Sequence, residues 1–352
     1  MKNSSSFKLT MKTISVSLIL GLSACVTPTA TSSAEDPTQI SASTTSKYAE
    51  SGVFSVTTAY ETWRDIERGR DIMVKLYKPA GDAAAPVVVF SHGLGGSVEA
   101  APYLGKHLAS WGFLAVHVQH PGSDAEVWAG LKERRAILGA LKQAAKDPKN
   151  AIDRYNDIPF VLNEIERRSA SGELHADSDR MALAGHSFGA HTVIALAGRQ
   201  YKVGKKTVSF KDTRLRAGMA LSPPSPQKKT SPADYEFIYG SIDLPLLHVT
   251  GTEDGNPLDS GDAAINRQIP FSQISKAPQY LLVFDGADHT VFGGGGRRRR
   301  SPDWYPQVQA QVAEAATAFF LAYVVKDVEA RAFIDGPSFI AVFDPNAEIK
   351  RH

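Results

Sequence analysis

The sequence lacks cysteine pairs, an excess of one charge and long apolar runs. Each absence argues against one kind of structure or partner. Its 352 residues contain one cysteine, Cys25, so no internal disulfide can form. The 39 basic and 37 acidic residues leave a net charge of +2, which gives no reason to expect nucleic acid as a partner. The sequence contains no run of roughly 18 apolar residues, so it predicts no transmembrane helix. The 43% of hydrophobic residues is ample for a globular core.

The N-terminus has the pattern of a targeting segment. Three lysines precede the apolar stretch "ISVSLILGL", which is typical of a secretory signal. The stretch ends in "LSAC", Leu22 to Cys25, which resembles the bacterial lipoprotein processing box. That resemblance implies lipidation of Cys25 and an anchored protein in the bacterial cell envelope; plain secretion after cleavage near Ala24 is the alternative. Val26 is not the aspartate of an inner-membrane retention signal, so the outer membrane is favoured.

Composition divides the chain into three parts. Residues 1–24 form the predicted signal peptide. Residues 25–47 are rich in Thr, Ser, Ala and Pro and have few large apolar side chains, so they predict a disordered tether. Residues 48–352 show no internal linker and predict one folded domain.

Short apolar runs alternate with helical segments through this domain. The strand-like runs are "VFSVTTAYETW", "DIMVKLYKP", "APVVVFSHG", "FLAVHVQH", "RMALAGHS", "LRAGMALS", "PLLHVTG" and "QYLLVFDG". Such runs between helices are typical of a parallel sheet covered on both faces, so we predict an α/β fold with a mostly parallel central sheet flanked by helices. The connection between the strands at 215–222 and 244–250 is short, which predicts no large cap domain.

The stretch "LAGHSFGAHT" contains a G-x-S-x-G pattern centred on Ser187. In a sharp strand-to-helix turn such a serine presents its hydroxyl above the sheet, and the flanking glycines avoid clashes. A glycine-rich turn with a structural serine is the alternative when the pentapeptide is taken alone.

A serine nucleophile needs a base and an oriented acid. His289, in "FDGADHTVFGG", follows the last predicted strand and is the candidate base. Asp254, in "HVTGTEDGNP", follows the preceding strand and is the candidate acid, with the neighbouring Glu253 as the alternative. The order Ser, Asp, His is the one expected of α/β-hydrolases.

The oxyanion of a tetrahedral intermediate needs two hydrogen-bond donors. The backbone N–H of Phe188, directly after the candidate nucleophile, is one. We expect the other from "SHGLGG", residues 91–96, and select the N–H of Leu94.

Together these stretches resemble a known superfamily. "VVVFSHGLGGS", "HLASWGFLAVHVQHPGSD" and "GHSFGAHTVI" are similar to plasma-type platelet-activating-factor acetylhydrolases and to dienelactone-hydrolase-like bacterial hydrolases. The resemblance covers almost all of 52–326. It implies the α/β-hydrolase fold and hydrolysis of short acyl, oxidised-chain or small carboxylic esters. Polyester-cleaving, cutinase-like hydrolases share the Ser, Asp, His order and are a further alternative.

The sequence departs from both families at one position each. The acetylhydrolases have their acid after the strand that follows the nucleophile, and this chain has Ser222 at that place. Asp254 therefore remains the candidate acid, and the resemblance supports a phospholipid substrate less strongly. The dienelactone hydrolases use a cysteine nucleophile, where this chain has Ser187.

These observations predict a serine esterase that cleaves short-chain or lipid-like esters through an acyl-enzyme. An amidase or peptidase of the same fold and a catalytically silent surface-binding protein are the alternatives. We predict no cofactor and no metal, because the close histidine pairs lack a third ligand. The expected partners are the ester substrate and a membrane contacted through the lipid anchor. The loop Gly293–Arg300, "GGGGRRRR", is either a solvated loop or a positive rim that attracts anionic substrates.

Overall fold

Nine helices and eleven strands form in residues 45–226, 230–295 and 304–352, the part of the chain that the computed structural model describes. The strands are β1 Val56–Asp65, β2 Arg70–Pro79, β3 Ala85–Ser91, β4 Leu114–Val118, β5 Ala176–His186, β6 Gln200–Val203, β7 Lys206–Ser209, β8 Leu215–Leu221, β9 Leu246–Glu253, β10 Gln279–Asp288 and β11 Ala347–Arg351. The helices are α1 Pro102–Ser110, α2 Arg134–Lys146, α3 Pro148–Ala170, α4 Phe188–Ala197, α5 Pro232–Tyr239, α6 Ile269–Gln273, α7 Trp304–Phe320, α8 Val328–Asp335 and α9 Pro337–Phe343.

Nine of the strands in the described residues pair into one sheet, in the order β1-β2-β4-β3-β5-β8-β9-β10-β11. Neighbours from β4 to β10 are parallel, and antiparallel pairs occur only toward the two edges, at β1/β2, β2/β4 and β10/β11. The predicted α/β class with a mostly parallel sheet and flanking helices is therefore confirmed.

Both faces of the sheet are buried, as the continuous apolar strands require. Alternate residues of β3 point into different cores: Val87 and Val89 into one, Val88 and Phe90 into the other. Helices α3 and α4 cover the first core, and α1 and α7 cover the second. The sheet is therefore fixed from both sides, and its loops extend from a rigid base.

Helix α7 continues through one π-helical turn to Val325, and the segment Trp304–Val325 is long and apolar enough to cross a bilayer. Most of it is buried against the sheet and α1, so in this fold it is a core helix. The sequence alone predicts a long amphipathic helix at 306–326, and α7 with its π-helical turn confirms it.

The sequence predicts mostly helix over 124–170 with a break at "DPKN", and the structure divides the region there, at Asp147. Pro148 cannot continue a helix from before it, because it lacks an N–H, but it suits the first turn of α3. The side chain of Asp147 accepts a hydrogen bond from the N–H of Lys149 at 2.9 Å and caps α3.

Several elements were not predicted. The hairpin β6–β7 follows α4, and α5 lies within the connection between β8 and β9. The C-terminal segment forms α8, α9 and the edge strand β11. The residues that precede 45 lie outside the described part, so the predicted signal peptide and nearly all of the tether stay predictions.

A buried histidine makes the stability of the fold depend on pH. His117 on β4 is 1% exposed and stacks on Phe90 at 4.7 Å between ring centroids. Burial lowers its pKa to about 3. In the unfolded chain a histidine has a pKa near 6.5, so below that pH the unfolded chain binds a proton that the folded chain excludes. The free energy of unfolding is therefore highest above about pH 6.5 and decreases as the pH falls below it.

We expect the free energy of unfolding of the wild type to fall between pH 7.5 and pH 5, and that of His117→Leu to fall by about 2 kcal/mol less. Urea denaturation followed by circular dichroism at both pH values measures the difference. His175→Leu, at an exposed histidine, is the matched control. Equal losses for the wild type and His117→Leu would contradict this account.

Candidate active site

Four loops meet at the edge of the sheet where the parallel strands end. The 91–96 loop follows β3, Ser187 follows β5, Asp254 follows β9 and His289 follows β10. In open parallel sheets this carboxyl edge is where ligands bind, because the loops of alternating connections leave a crevice there. The order of the strands thus places residues about 100 positions apart in the sequence side by side.

Ser187 occupies a strained turn between β5 and α4. Its backbone has φ 55° and ψ −112°, a conformation that a residue with a side chain adopts at a cost. The turn is tight enough to exclude side chains at both glycines of the motif. A Cβ on Gly189 would lie 1.8 Å from the carbonyl oxygen of Ser91, and one on Gly185 would lie 2.4 Å from the backbone of Gly189. This packing holds the serine hydroxyl above the sheet.

The structure brings the three predicted side chains into one chain of hydrogen bonds. His289 Nδ1 lies 2.7 Å from Asp254 Oδ1, and His289 Nε2 lies 2.9 Å from Ser187 Oγ. An ionised carboxylate only accepts, so Nδ1 carries the proton and donates to Asp254. Nε2 is then free to accept the hydrogen bond that the Ser187 hydroxyl donates.

Asp254 is completely buried and well supplied with partners. Thr250 Oγ1 donates to its second carboxylate oxygen at 2.8 Å, and Arg267 Nε lies 3.6 Å from the first. Burial opposes its ionisation, but the hydrogen bond and charge of His289, together with the charge of Arg267, lower the pKa of the Asp254 carboxyl. The alternative acid, Glu253, is exposed.

A second histidine supports the first from behind. His186 Nε2 donates to the backbone oxygen of His289 at 2.9 Å, and the two rings are 4.9 Å apart between centroids. Burial, and then the nearby His289, lower the pKa of His186 to about 3, so its ring stays neutral with the proton on Nε2. Gly293 is needed here because a Cβ would approach the His186 ring to 2.9 Å.

The 91–96 loop has one peptide group fixed in a single orientation. The carbonyl oxygen of Gly93 accepts hydrogen bonds from His92 Nδ1 at 2.6 Å, Gly96 N at 3.0 Å and Arg154 Nη2 at 3.4 Å. The backbone N–H of His120 donates to His92 Nε2, which leaves the ring proton on Nδ1 and makes that nitrogen the donor. In a trans peptide the N–H points opposite to the carbonyl, so the N–H of Leu94 points away from this cluster.

Arg154 on α3 is the centre of the support under this loop. It is 0% exposed and donates to the carbonyl oxygen of His92 and to Ser123 Oγ at 2.8 Å. Its guanidinium carbon lies 4.4 Å from the centroid of the Phe188 ring, so one side chain contacts both the loop and the start of α4. Burial lowers the pKa of Arg154 to about 9, and it remains charged at neutral pH.

The charge of Arg154 belongs to a larger buried network that we did not predict. Asp157, one turn further along α3, accepts from His120 Nδ1 at 3.0 Å and pairs with Arg68 and Arg70. Burial alone would raise the pKa of Asp157, but the hydrogen bond from His120 and the charge of Arg70 lower it to about 2. One sequence signal was available, since Arg154 falls on the apolar stripe that Ile158, Val161 and Ile165 form on α3.

An open cavity of about 770 Å³ lies over Ser187 and His289. Leu94 and Phe188 line it, as do apolar side chains of α2 and of the loops after β8 and β9: Leu138, Leu141, Ala145, Pro224, Pro226, Pro257 and Leu258. None of the residues of α2 is buried, so the helix forms one wall of an accessible site.

Two predictions lie partly or wholly outside the described residues. Cys25 is one, and residues 296–300 of the predicted loop Gly293–Arg300 are the other. Among the described residues, no cluster of three histidine, aspartate or glutamate side chains is arranged to hold a metal ion.

Comparison with known proteins points to one group. A family model described as "Platelet-activating factor acetylhydrolase, isoform II" matches residues 72–146. The curated platelet-activating factor acetylhydrolase of Bos taurus is 29% identical over 164 residues, 39% of this chain and 34% of the relative. That of Cavia porcellus is 28% identical over 165 residues, which cover 39% of this chain and 35% of the relative. That of Canis lupus familiaris is 27% identical over 192 residues, which cover 47% of this chain and 39% of the relative.

These matches span little more than a third of the relatives' own length. The family match runs from β2 to the end of α2 and includes the 91–96 loop, whereas Ser187, Asp254 and His289 lie beyond it. In sequence the chain is thus similar to the platelet-activating factor acetylhydrolases, a group of ester hydrolases, over the part of the sheet that carries this loop.

Proposed function

We propose that this protein is a serine hydrolase of the α/β-hydrolase fold that cleaves carboxylic esters through an acyl-enzyme intermediate. The observation that carries the proposal is the hydrogen-bonded chain from Asp254 through His289 to Ser187 at the base of an open cavity. The strand order, with the nucleophile after β5 in the middle of a parallel sheet, supports it.

The geometry supports a complete acyl-transfer cycle. The oxygen of Ser187 attacks the ester carbonyl while His289 Nε2 takes the hydroxyl proton. The imidazolium that forms is stabilised by Asp254, and it returns the proton to the leaving alcohol as the carbon–oxygen bond breaks. Water, deprotonated by the same nitrogen, then attacks the acyl-enzyme and releases the acid and free Ser187.

The negative oxygen of each tetrahedral intermediate requires donors that are in place beforehand. The N–H of Phe188, at the first position of α4, has no partner within the helix and is available. The N–H of Leu94 is available because three donors hold the Gly93 carbonyl on the opposite side of the peptide. We propose these two N–H groups as a preformed oxyanion hole.

The cavity lining favours an ester with a substantial apolar part, because the walls are leucine, alanine and proline. The similarity to acetylhydrolases that act on platelet-activating factor supports a lipid-like ester. Ser222, at the end of β8, is completely buried with φ 52° and stands where the resemblance implies the acid in that family. The acid of this chain instead comes from the β9 loop.

We propose, from the N-terminal sequence alone, that the protein is anchored in the bacterial cell envelope by lipid on Cys25. The part of the predicted tether 25–47 that precedes Ser46, which contacts Glu314 of the domain, would then separate the domain from the membrane surface. Such an arrangement would keep the open cavity near lipid-like esters.

Replacing the nucleophile tests the mechanism. Ser187→Ala should lower kcat on p-nitrophenyl butyrate by at least ten-thousandfold, since triad nucleophiles act as a unit with their base. Ser209→Ala, at an exposed serine on β7, is the matched control. Steady-state kinetics measure both, and a Ser187→Ala variant within tenfold of the wild type would rule out this mechanism.

Arg154 should act as a positioning residue for the oxyanion hole. Arg154→Lys keeps the charge but loses the shared hydrogen bonds, so we expect kcat to fall by roughly tenfold to a hundredfold with KM little changed, less than the loss of a donor itself. The Ki of an alkyl boronic acid, which forms a tetrahedral adduct, should rise by the same factor as kcat/KM falls.

Arg214→Lys is the control for the loss of an arginine, because Arg214, directly before β8, is partly buried and pairs with Asp212 and with Glu166 of α3. If Arg154→Lys folds and leaves both kcat and the boronate Ki unchanged, the loop does not depend on this side chain.

The anchor predicts a simple fractionation result. Expressed in a bacterial host with a fatty-acid label, the wild type should carry the label and sediment with membranes, whereas Cys25→Ser should carry none and be released. Ser187→Ala should fractionate like the wild type, because anchoring is independent of catalysis. A labelled or membrane-bound Cys25→Ser variant would disprove lipidation at this residue.

A further inference from the structure

The charged side chains that line the catalytic cavity, among the described residues, are both arginines. They are Arg199 and Arg267, and no aspartate or glutamate of the described residues lies in the wall. The described wall of the cavity thus contains two cationic side chains and no negative group, which gives it a positive potential.

The charge of Arg267 is already compensated. It is 3% exposed, its Nε lies 3.6 Å from Asp254 Oδ1, and it donates to the backbone oxygens of Asp254 and Pro223. Its role is to hold the carboxylate behind His289, so it is not available to a ligand.

Arg199 has no such compensation. It forms no ion pair with any described carboxylate, and its Nε is buried without a hydrogen-bond acceptor. Residues 227–229, which follow the cavity-lining Pro226 in sequence, are Gln, Lys and Lys and supply no carboxylate. Leaving a polar cationic group partly desolvated and unpaired costs free energy, which an anionic ligand would recover.

The neighbours of Arg199 are aromatic rings rather than anions. Its guanidinium carbon lies 5.1 Å from the centroid of Tyr201 and 5.9 Å from that of Tyr239. The Tyr201 hydroxyl donates to Tyr155, whose hydroxyl in turn donates to His191 Nδ1. Burial, and then the charge of Arg199, lower the pKa of His191 to about 3, so this ring is neutral and does not add a second cation. The rings orient the guanidinium without neutralising it.

Arg199 lies beyond the end of α4 that is far from the reacting group. Phe188 and His191 lie on one side of α4, Arg199 follows the Gly198 that ends the helix, and all three line the cavity. Helix α4 separates Ser187 from Arg199 by about 15 Å along its axis. Leu138 and Leu141 of α2 supply apolar wall in the same cavity.

We propose that Arg199 is a subsite for the anionic end of the substrate, a carboxylate or a phosphate separated from the ester carbonyl by an apolar spacer. This rests on the proposed esterase function and names its substrate class. Arginine suits the role because its planar fork donates two parallel hydrogen bonds to either group and is only weakly hydrated. The anion belongs either to the acyl part or to the alcohol part of the ester, and both would bring the same chemistry to the same guanidinium.

Matched substrates separate these two sources. The acyl arm uses p-nitrophenyl half-esters of linear dicarboxylic acids with 4 to 12 carbons, each paired with the compound whose free carboxylate is a methyl ester. The alcohol arm uses acetyl esters of linear ω-phosphoalkanols, each paired with the dimethyl phosphate. The measured quantity is the ratio of kcat/KM for the anionic member to that for the neutral member.

In one of the two arms the wild-type ratio should peak at one spacer length, and Arg199→Gln should lower that peak ratio at least tenfold. Arg199→Lys should restore part of it, because it keeps the charge without the fork. Arg216→Gln, at an exposed arginine at the start of β8, makes the same change in net charge and should leave the ratio as in the wild type. A ratio that Arg199→Gln leaves unchanged in both arms, or that Arg216→Gln lowers as much, would overturn the proposal.

Direct binding keeps this test separate from the esterase proposal. Calorimetric titration of octyl phosphate and of its neutral dimethyl ester into the wild type and Arg199→Gln should show at least tenfold tighter binding of the anion to the wild type only. If the wild type hydrolyses no ester, the proposed function fails while this result still decides the anion subsite. If Arg199→Gln does not fold, the same comparison is made with Arg199→Lys, and equal binding of both ligands by the wild type would overturn the subsite.

Discussion

The hydrogen bond between His289 and Ser187 depends on the sheet more than on any local motif. Its two residues are 102 positions apart in sequence, and they meet because β5 and β10 end at the same edge with β8 and β9 between them. Two apolar cores hold these strands in register from opposite faces. The strained turn at Ser187 persists because Gly189 packs directly against the backbone of Ser91, which also fixes the start of the 91–96 loop.

Arg154 and Arg199 differ in how many of their hydrogen-bond donors have acceptors within the protein. Arg154 is completely enclosed, and nearly all of its donors are used on backbone carbonyls and Ser123, so its desolvation is offset by contacts that fix the loop. Arg199 is partly exposed to the cavity and lacks an equivalent set of acceptors. The first arrangement is that of a scaffold, and the second is that of a group open to a ligand.

The central strands and the three candidate catalytic residues could be predicted from the sequence, because short stretches of sequence indicate each of them. The strands β3, β5, β8, β9 and β10 contain short apolar runs that end in glycine or polar residues, and this length and these flanking residues favour a strand buried on both faces. The order of Ser187, Asp254 and His289 follows from the same runs. The geometry then places His289 on Asp254 and leaves Glu253 exposed.

The remainder depends on contacts between distant segments. The hairpin β6–β7 is polar and exposed, with Gly204 at its turn, so it gave little apolar signal. Strand β11 pairs at the sheet edge beside β10, which nothing in "AEIKR" alone indicates. The support of Gly93 by Arg154 and His92 joins α3 to the loop after β3, and only the folded chain shows it. Cys25 and the arginine-rich segment stay predictions.

The most direct test of the central claim, that the geometry activates Ser187 as a nucleophile, is covalent labelling with a fluorophosphonate followed by peptide mass spectrometry. The account predicts a single adduct, at one equivalent per chain, on the peptide that contains Ser187, and no adduct after the His289→Ala change. An unlabelled protein under conditions that label a known serine hydrolase, or an adduct on a different residue, would contradict it.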